Sequence, residues 1–123
     1  MYPLRRNRRL RLNESVRSLV RETIVTPNDF LVPLFVVEGK GIKDEIPSMP
    51  GYYRYSLDLL PAEIKELWSL GLKSVLLFVK VPEHLKDNKG TEASNPSGLM
   101  QRAIQTIKQT VPEMLVMTDV ALD

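Results

Sequence analysis

The chain has 123 residues, 43% of them hydrophobic and 26% charged, which is the composition of about one soluble globular domain. It contains no cysteine, which excludes a disulfide framework and a thiolate metal site and is compatible with the reducing cytoplasm, where we predict that the protein acts. The longest purely apolar run, residues 75–79, is far too short to cross a bilayer, so we expect no membrane partner.

The net charge of +2 hides an asymmetry, because the first dozen residues contain several arginines and no acidic residue. Such a basic segment could bind nucleic acid, but Tyr2 is its only aromatic residue and does not make a platform for bases. A solvated arm, or one that wraps around a partner protein, is the favoured interpretation. The arginines are Arg5, Arg6, Arg8, Arg9 and Arg11.

We assign residues 1–29 to an N-terminal arm that contains one short helix. Asn13 is a suitable N-cap for this helix, and the apolar residues Val16, Leu19 and Val20 fall on one of its faces. Residues 30–37, "FLVPLFVV", are a continuous apolar run that predicts a strand buried on both faces. Pro33 suits an edge strand or the start of a strand.

Residues 38–55 form a loop rich in glycine and proline, in which a short hairpin is one candidate structure. A helix is predicted next, with Ser56 or Asp58 as its N-cap, Pro61 in its first turn and Gly71 just beyond its end. Residues 74–79, "SVLLFV", are a second buried strand. The apolar stripe of the helix consists of Ile64, Leu67 and Trp68.

The polar loop 80–95 precedes a third helix. Asn95 before Pro96 resembles a cap followed by a proline start, and Pro112 ends the helical pattern. Residues 114–118, "MLVMT", predict a third buried strand. The apolar residues at helical spacing are Leu99, Ala103, Ile104 and Ile107.

Three buried strands that alternate with two helices predict two βαβ units and a parallel α/β sheet. Asp119 directly follows the third strand, and Asp123 lies four residues further on. Ligands bind at the carboxyl ends of parallel strands, where two carboxylates can bind a cation, orient a base or hold an amine. An aspartate that caps a turn is the alternative. We interpret His84 and the loop lysines Lys40, Lys80 and Lys89 as solvated surface residues.

Several longer motifs stand out: "FLVPLFVVEGKGIKDEIPSMPGYYRYSLD" at 30–58, "GTEASNPSGLMQRAIQTIK" at 90–108 and "DVALD" at 119–123, together with "RRLR" and "LVRET" in the arm. These motifs resemble the delta-aminolevulinic acid dehydratase (porphobilinogen synthase) family. The resemblance implies a TIM (β/α)8 barrel preceded by an extended or helical arm. Residues 30–123 would be the first part of that barrel, cut after its third strand.

The family condenses two molecules of 5-aminolevulinate into porphobilinogen, in tetrapyrrole (heme) biosynthesis. Its two Schiff-base lysines lie on later barrel strands, and no lysine here matches their motifs. The resemblance therefore implies an enzyme fragment that is inactive alone. A short non-catalytic binding or assembly module with the same N-terminal sequence is the alternative.

By resemblance, Asp119 matches an active-site aspartate that orients a substrate amine or accepts its protons. One branch of the family binds a catalytic zinc through cysteines just after this aspartate, where Ala121 and Asp123 stand here. Alanine binds no metal and a carboxylate is a poor replacement for thiolate, so we expect no catalytic zinc and no cofactor in this segment. Asp123 would hold a hard cation or water.

Magnesium is expected in the whole enzyme, at a site later in the family's chain. In the family the arm wraps a neighbouring barrel within an octamer. The resemblance therefore implies a homo-oligomer formed through the arm rather than a nucleic-acid partner.

Overall fold

The computed structural model describes residues 3–120, which form one mixed five-stranded sheet with two helices packed on one face. The strand order across the sheet is β2-β3-β1-β4-β5. The strands are β1 (Val32–Val37), β2 (Lys43–Glu45), β3 (Tyr53–Ser56), β4 (Ser74–Lys80) and β5 (Leu115–Thr118), and the helices are α1 (Glu14–Leu19), α2 (Leu60–Ser69) and α3 (Leu99–Thr110).

The three strands predicted from apolar runs pair in parallel and in chain order. β1 pairs with β4 from Val32↔Val75 to Val37↔Lys80, and β4 pairs with β5 from Ser74↔Leu115. Along the chain, α2 comes between β1 and β4, and α3 comes between β4 and β5, as the βαβ pattern predicts. The prediction that these three strands pair in parallel within an α/β fold is therefore confirmed.

The loop 38–55 contains the short hairpin, but its second strand does more than the sequence predicts. β2 and β3 are antiparallel, and β3 also pairs in parallel with β1 from Phe35↔Arg54 to Val37↔Ser56. The sheet therefore has five strands rather than three, and β1 is central rather than at an edge. Pro33 is tolerated because it lies near the start of β1, before the pairing with β3 begins.

The core lies between the sheet and the two helices. Side chains alternate along a strand, so Leu34 and Val36 of β1 and Val75 and Leu77 of β4 face the helices, while their neighbours face the opposite side. That opposite face is not covered by a helix of the described chain. The buried helical residues are Leu60, Ile64, Leu67, Leu99, Ala103 and Ile107, and Trp68 is only partly buried.

Two helix starts differ from the prediction. Helix α2 begins after Leu59 with no side-chain cap, because the predicted caps Ser56 and Asp58 bind a neighbouring loop instead. Helix α3 begins after Gly98, three residues beyond Asn95. The carboxylamide of Asn95 accepts a hydrogen bond from the N–H of Ser97 and so makes a turn before the helix.

The strand β5 is not buried on both faces, which corrects the third-strand prediction. Leu115 and Met117 are 53% and 42% exposed, because they lie on the sheet face that no described helix covers. Gly71, in contrast, ends α2 as predicted, with the positive φ of 88° that glycine adopts without strain.

The described part of the arm is mostly exposed. Asn13 caps α1 as predicted, since its side chain accepts a hydrogen bond from the N–H of Val16 at 3.0 Å. The predicted apolar face of α1 is not buried, and Leu19 is 86% exposed. The division between arm and barrel at residues 29 and 30 stays a prediction. None of the helices within residues 3–120 has the length and apolar character needed to span a membrane.

Candidate active site

The parallel strands β1, β3, β4 and β5 end at the same edge of the sheet. A cavity of about 400 Å³ lies at this edge, beyond the ends of β4 and β5. The segment 81–93, the first half of α3 and the residues after β5 form its walls, and Asp119 lines it. Apolar and charged groups thus converge where ligands bind in parallel α/β sheets.

Asp119 is held by its backbone, and its carboxylate makes no hydrogen bond or ion pair of its own with the described part of the chain. Its N–H donates to the carbonyl oxygen of Leu77 at 3.2 Å, which continues the pairing between β4 and β5. Since side chains alternate, Asp119 lies on the same face as Met117, away from the helices. Within residues 3–120 its carboxylate receives no hydrogen bond or ion pair, and the following turn that it would cap in the alternative interpretation includes residues 121–123, which lie outside the described part of the chain.

The other candidates from the sequence are not gathered at this site. Asp123 and Ala121 lie outside the described residues. His84 is exposed in the single turn Glu83–Leu85, and Lys80 is exposed at the end of β4. Among residues 3–120, no group of three or more His, Asp or Glu side chains is arranged to hold a metal ion.

Asp87 is a residue of the cavity wall that the sequence analysis missed. Its carboxylate accepts hydrogen bonds from the backbone of Lys89 and from both the N–H and the hydroxyl of Thr91. These hydrogen bonds, of which that from the Thr91 hydroxyl contributes most, lower the pKa of Asp87 below its ordinary value. The sequence does contain a pattern that indicates this role. An aspartate followed three residues later by a glycine and then a threonine is typical of a turn stabilised by the aspartate side chain.

A second carboxylate fixes the loop after β1. The hydroxyl of the fully buried Ser56 donates to Asp58 at 2.5 Å and accepts from the N–H of Ile42 at 2.9 Å. Asp58 also accepts from the N–H of Gly41 at 2.9 Å. The hydrogen bond from Ser56 is the main reason why the pKa of Asp58 is lowered. Ser56 and Asp58, which the sequence predicted as helix caps, thus form a clamp that binds the backbone N–H groups of residues 41 and 42.

An ion pair links α3 to the residue that follows β1, at the carboxyl ends of the strands. The guanidinium of Arg102, in the first turn of α3, binds the carboxylate of Glu38, which directly follows β1. The same guanidinium donates to the carbonyl oxygen of Ser97 at 2.9 Å. Arg102 therefore holds the start of α3 against the end of β1, although the pair is more than a third exposed and contributes only modestly to stability.

Comparison with known proteins identifies the family. The family model described as "Delta-aminolevulinic acid dehydratase" matches residues 4–123, nearly the whole chain. The chain belongs to the delta-aminolevulinic acid dehydratase family. The resemblance seen in the sequence motifs is thereby confirmed.

Delta-aminolevulinic acid dehydratases from bacteria are similar over almost all of this chain. The protein of Chlamydia pneumoniae is 44% identical over 119 residues, which are 97% of this chain and 36% of that protein. The protein of Bacillus subtilis (strain 168) is 47% identical over 117 residues, which are 95% of this chain and 36% of that protein. The chain therefore spans about a third of the length of these relatives.

The fold is also similar to a solved member of the dehydratase family. The crystal structure of delta-aminolevulinic acid dehydratase from Toxoplasma gondii ME49, in complex with the reaction product porphobilinogen, matches with a TM-score of 0.88 at 43% identity. The match covers 96% of this chain and 33% of that one.

The clamp formed by Ser56 makes a testable electrostatic prediction. In the variant Ser56→Ala the pKa of Asp58 should rise toward its ordinary value of 3.8, because the largest cause of its lowering is lost. Carbon-detected NMR titration of the aspartate carboxyl groups measures this change. In the wild type, Asp58 stabilises the fold above pH 3.8, and this contribution is lost as the pH falls through its lowered folded pKa.

Asp87 is the internal control for this titration. Its lowered pKa depends on Thr91, so it should not move in Ser56→Ala, whereas Thr91→Val should raise it and leave Asp58 unchanged. If both aspartates shifted together in either variant, the local hydrogen bonds would not be the cause.

Proposed function

We propose that this chain is the N-terminal part of a porphobilinogen synthase, which condenses two molecules of 5-aminolevulinate into porphobilinogen. The observation that carries this proposal is the match, at a TM-score of 0.88, to a dehydratase structure that contains the product porphobilinogen. Asp119 supports it, because this residue lines the cavity at the carboxyl ends of the strands and its carboxylate has no partner within residues 3–120. The absence of cysteine supports the cytoplasmic location predicted from the sequence.

We infer that β1, β4 and β5 are the first three strands of a TIM barrel. Their parallel pairing, with α2 and α3 on one face only, supports this inference, because a barrel keeps its helices outside. The uncovered face carries Phe35 and Phe78, whose rings stack with centroids 5.2 Å apart. Layers of bulky inward-facing side chains fill the interior of TIM barrels, and active sites lie at the carboxyl ends of their strands.

Asp119 would bind the amino group of a substrate. A carboxylate with no donor within the described chain can accept a hydrogen bond from an ammonium group or take its proton, which prepares the amine for attack on a carbonyl. The lysines that form Schiff bases in the family lie on later strands and match nothing here. The segment would therefore supply a proton acceptor and a binding wall, while the covalent chemistry requires the rest of the protein.

The donor set near Asp119 does not fit zinc. Zinc sites of this family's cysteine branch use thiolates, whereas this chain has no cysteine and has Ala121 and Asp123 at the matching positions. Both of those residues lie outside the described part of the structure. We propose that the enzyme works without catalytic zinc, that Asp123 holds water or a hard cation, and that magnesium binds elsewhere in the whole protein.

The N-terminal arm would bind a second copy of the protein in a homo-oligomer. Leu4, Leu10 and Leu12 are 93%, 60% and 79% exposed, and the arm is rich in arginine as well. Apolar side chains interleaved with arginine are typical of protein interfaces and less suited to a nucleic acid, which would need stacking aromatic residues. The exposed leucines therefore support a protein partner, with an octamer as in the family.

The first test compares the whole protein with the 123-residue chain. The reading frame and the intact mass should show a protein of the relatives' length, and that protein should form porphobilinogen from 5-aminolevulinate after dialysis against a zinc chelator. The chain alone should form none above a no-protein control. A reading frame that ends at residue 123 would instead favour a non-catalytic module, and activity that is lost with zinc and restored by zinc would refute the metal proposal.

The variant Asp119→Asn in the whole protein tests the role of this carboxylate. It keeps the shape and removes the charge, so kcat should fall about a hundredfold, which is typical of losing a positioned acid–base group. The free energy of unfolding should change by less than about 1 kcal/mol, since Asp119 is exposed. Asp123→Asn should be milder.

Asp44→Asn is the matched control for Asp119→Asn, because Asp44 is an exposed strand aspartate that pairs with Arg54 in the hairpin, remote from the cavity. It should retain kcat. Normal turnover of Asp119→Asn with a sharply lowered denaturant midpoint would show that Asp119 is a structural residue.

The arm is tested by replacing its exposed leucines. Leu10→Glu combined with Leu12→Glu should lower the mass of the whole protein in light scattering, because charged side chains cannot be buried in the interface. Replacing Leu70, which is 61% exposed at the end of α2, is the control and should leave the mass unchanged. An unchanged mass for the arm variant would exclude these leucines from the interface.

A further inference from the structure

The loop between β4 and α3 forms part of the wall of the cavity. Asp87, Gly90, Glu92 and Ala93 of this loop line the same cavity as Asp119. The width of the cavity at Asp119 therefore depends on where this loop lies. A ligand bound to Asp119 would contact a surface that the loop supplies.

The second half of the loop rests on α3. The side-chain amide of Gln101 donates to the carbonyl oxygen of Ala93 at 3.0 Å, and Asn95 donates to Glu92 at 3.0 Å. The approach is close at Gly98, where a Cβ would lie 2.5 Å from Oε1 of Gln101 and 3.2 Å from Oε1 of Glu92. The bond from Gln101 holds Ala93 against α3, and the bond between Asn95 and Glu92 joins the loop residues on either side of Ala93.

The first half of the loop has no such support. Within residues 3–120, the hydrogen bonds of residues 87–91 are all made inside the loop itself. Their common acceptor is the carboxylate of Asp87, which receives the N–H of Lys89 and the N–H of Thr91 at 3.0 Å each, and the hydroxyl of Thr91 at 2.5 Å. Without this carboxylate, three donors lose their partner. The turn then keeps the bond from the N–H of Gly90 to the carbonyl of Asp87, and the bonds that Ala93 and Ser94 donate to the carbonyls of Gly90 and Thr91.

We propose that Asp87 is a positioning residue for 5-aminolevulinate, which holds the turn 87–91 so that the loop closes the cavity facing Asp119. This inference rests on the proposed function. Asp87 would not take part in the chemistry. Its loss should weaken substrate binding more than it slows turnover, because the reacting groups lie on the strands and the loop supplies a wall.

The test measures steady-state kinetics of the whole protein with 5-aminolevulinate. Asp87→Ala should raise KM about tenfold while kcat changes less than about twofold, which is the pattern expected when binding rather than transition-state stabilisation is lost. Thr91→Val removes one of the three donors to the carboxylate and should raise KM roughly fivefold, less than Asp87→Ala, because the N–H groups of Lys89 and Thr91 keep their acceptor. Thr91→Ser keeps the hydroxyl and should restore KM.

Asp29→Ala is the matched control, because Asp29 makes an equivalent turn elsewhere. Its carboxylate accepts the N–H of Thr26 at 2.6 Å and the hydroxyl of Thr26 at 3.2 Å. This turn lies beside Gly71 at the opposite end of the sheet, where a Cβ on Gly71 would be 3.4 Å from Pro27. Asp29→Ala should cost similar stability and leave KM unchanged.

The outcomes separate this inference from the proposed function. Absence of porphobilinogen formation by the wild type overturns both. An active wild type, with KM in Asp87→Ala no higher than in Asp29→Ala, overturns only the positioning role, as does failure of Thr91→Ser to restore KM. If Asp87→Ala does not fold, Thr91→Val and Thr91→Ser decide the question by the same comparison.

Discussion

The register between β1 and β4 is the constraint on which the rest of the structure depends. Six residue pairs are joined in parallel, from Val32↔Val75 to Val37↔Lys80. This register sends Leu34, Val36, Val75 and Leu77 toward α2 and α3, and a slip of one residue would turn them to the uncovered face. The same alternation, passed to β5, places Asp119 on the face away from the helices and at the mouth of the cavity.

The apolar runs and helical spacings were sufficient to predict the frame of this fold. Each predicted apolar run corresponds to one strand, because strands of parallel sheets are typically apolar on both faces. Asp119 was predicted as a site residue for the same reason, since it follows such a run. β3 was missed because "YRYS" is short and partly polar, and only its position beside β1 makes it a strand of the main sheet.

The errors in the prediction concentrate at polar residues near the ends of elements. Ser56, Asp58 and Asn95 all have side chains that cap helices in other sequences, and here they bind loops instead. Local propensity does not distinguish these partners, because the choice depends on which backbone N–H groups the tertiary fold brings near. Asp87 differs from these residues, because its partners lie in the same turn. Its spacing to Gly90 and Thr91 in the sequence is therefore enough to predict the turn.

The two edge strands of the sheet, β2 and β5, differ in how readily a further strand could pair with them. The outer edge of the hairpin is β2, which has only three residues, and Lys43, Asp44 and Glu45 are all charged and exposed. Charged, short edges resist the addition of another strand, whereas β5 presents Leu115 and Met117 beside an edge that carries no charge. A further strand can therefore pair with β5, whereas β2 resists such pairing. A strand that closed a barrel against β1 would have to use residues 32–34, which β3 leaves unpaired.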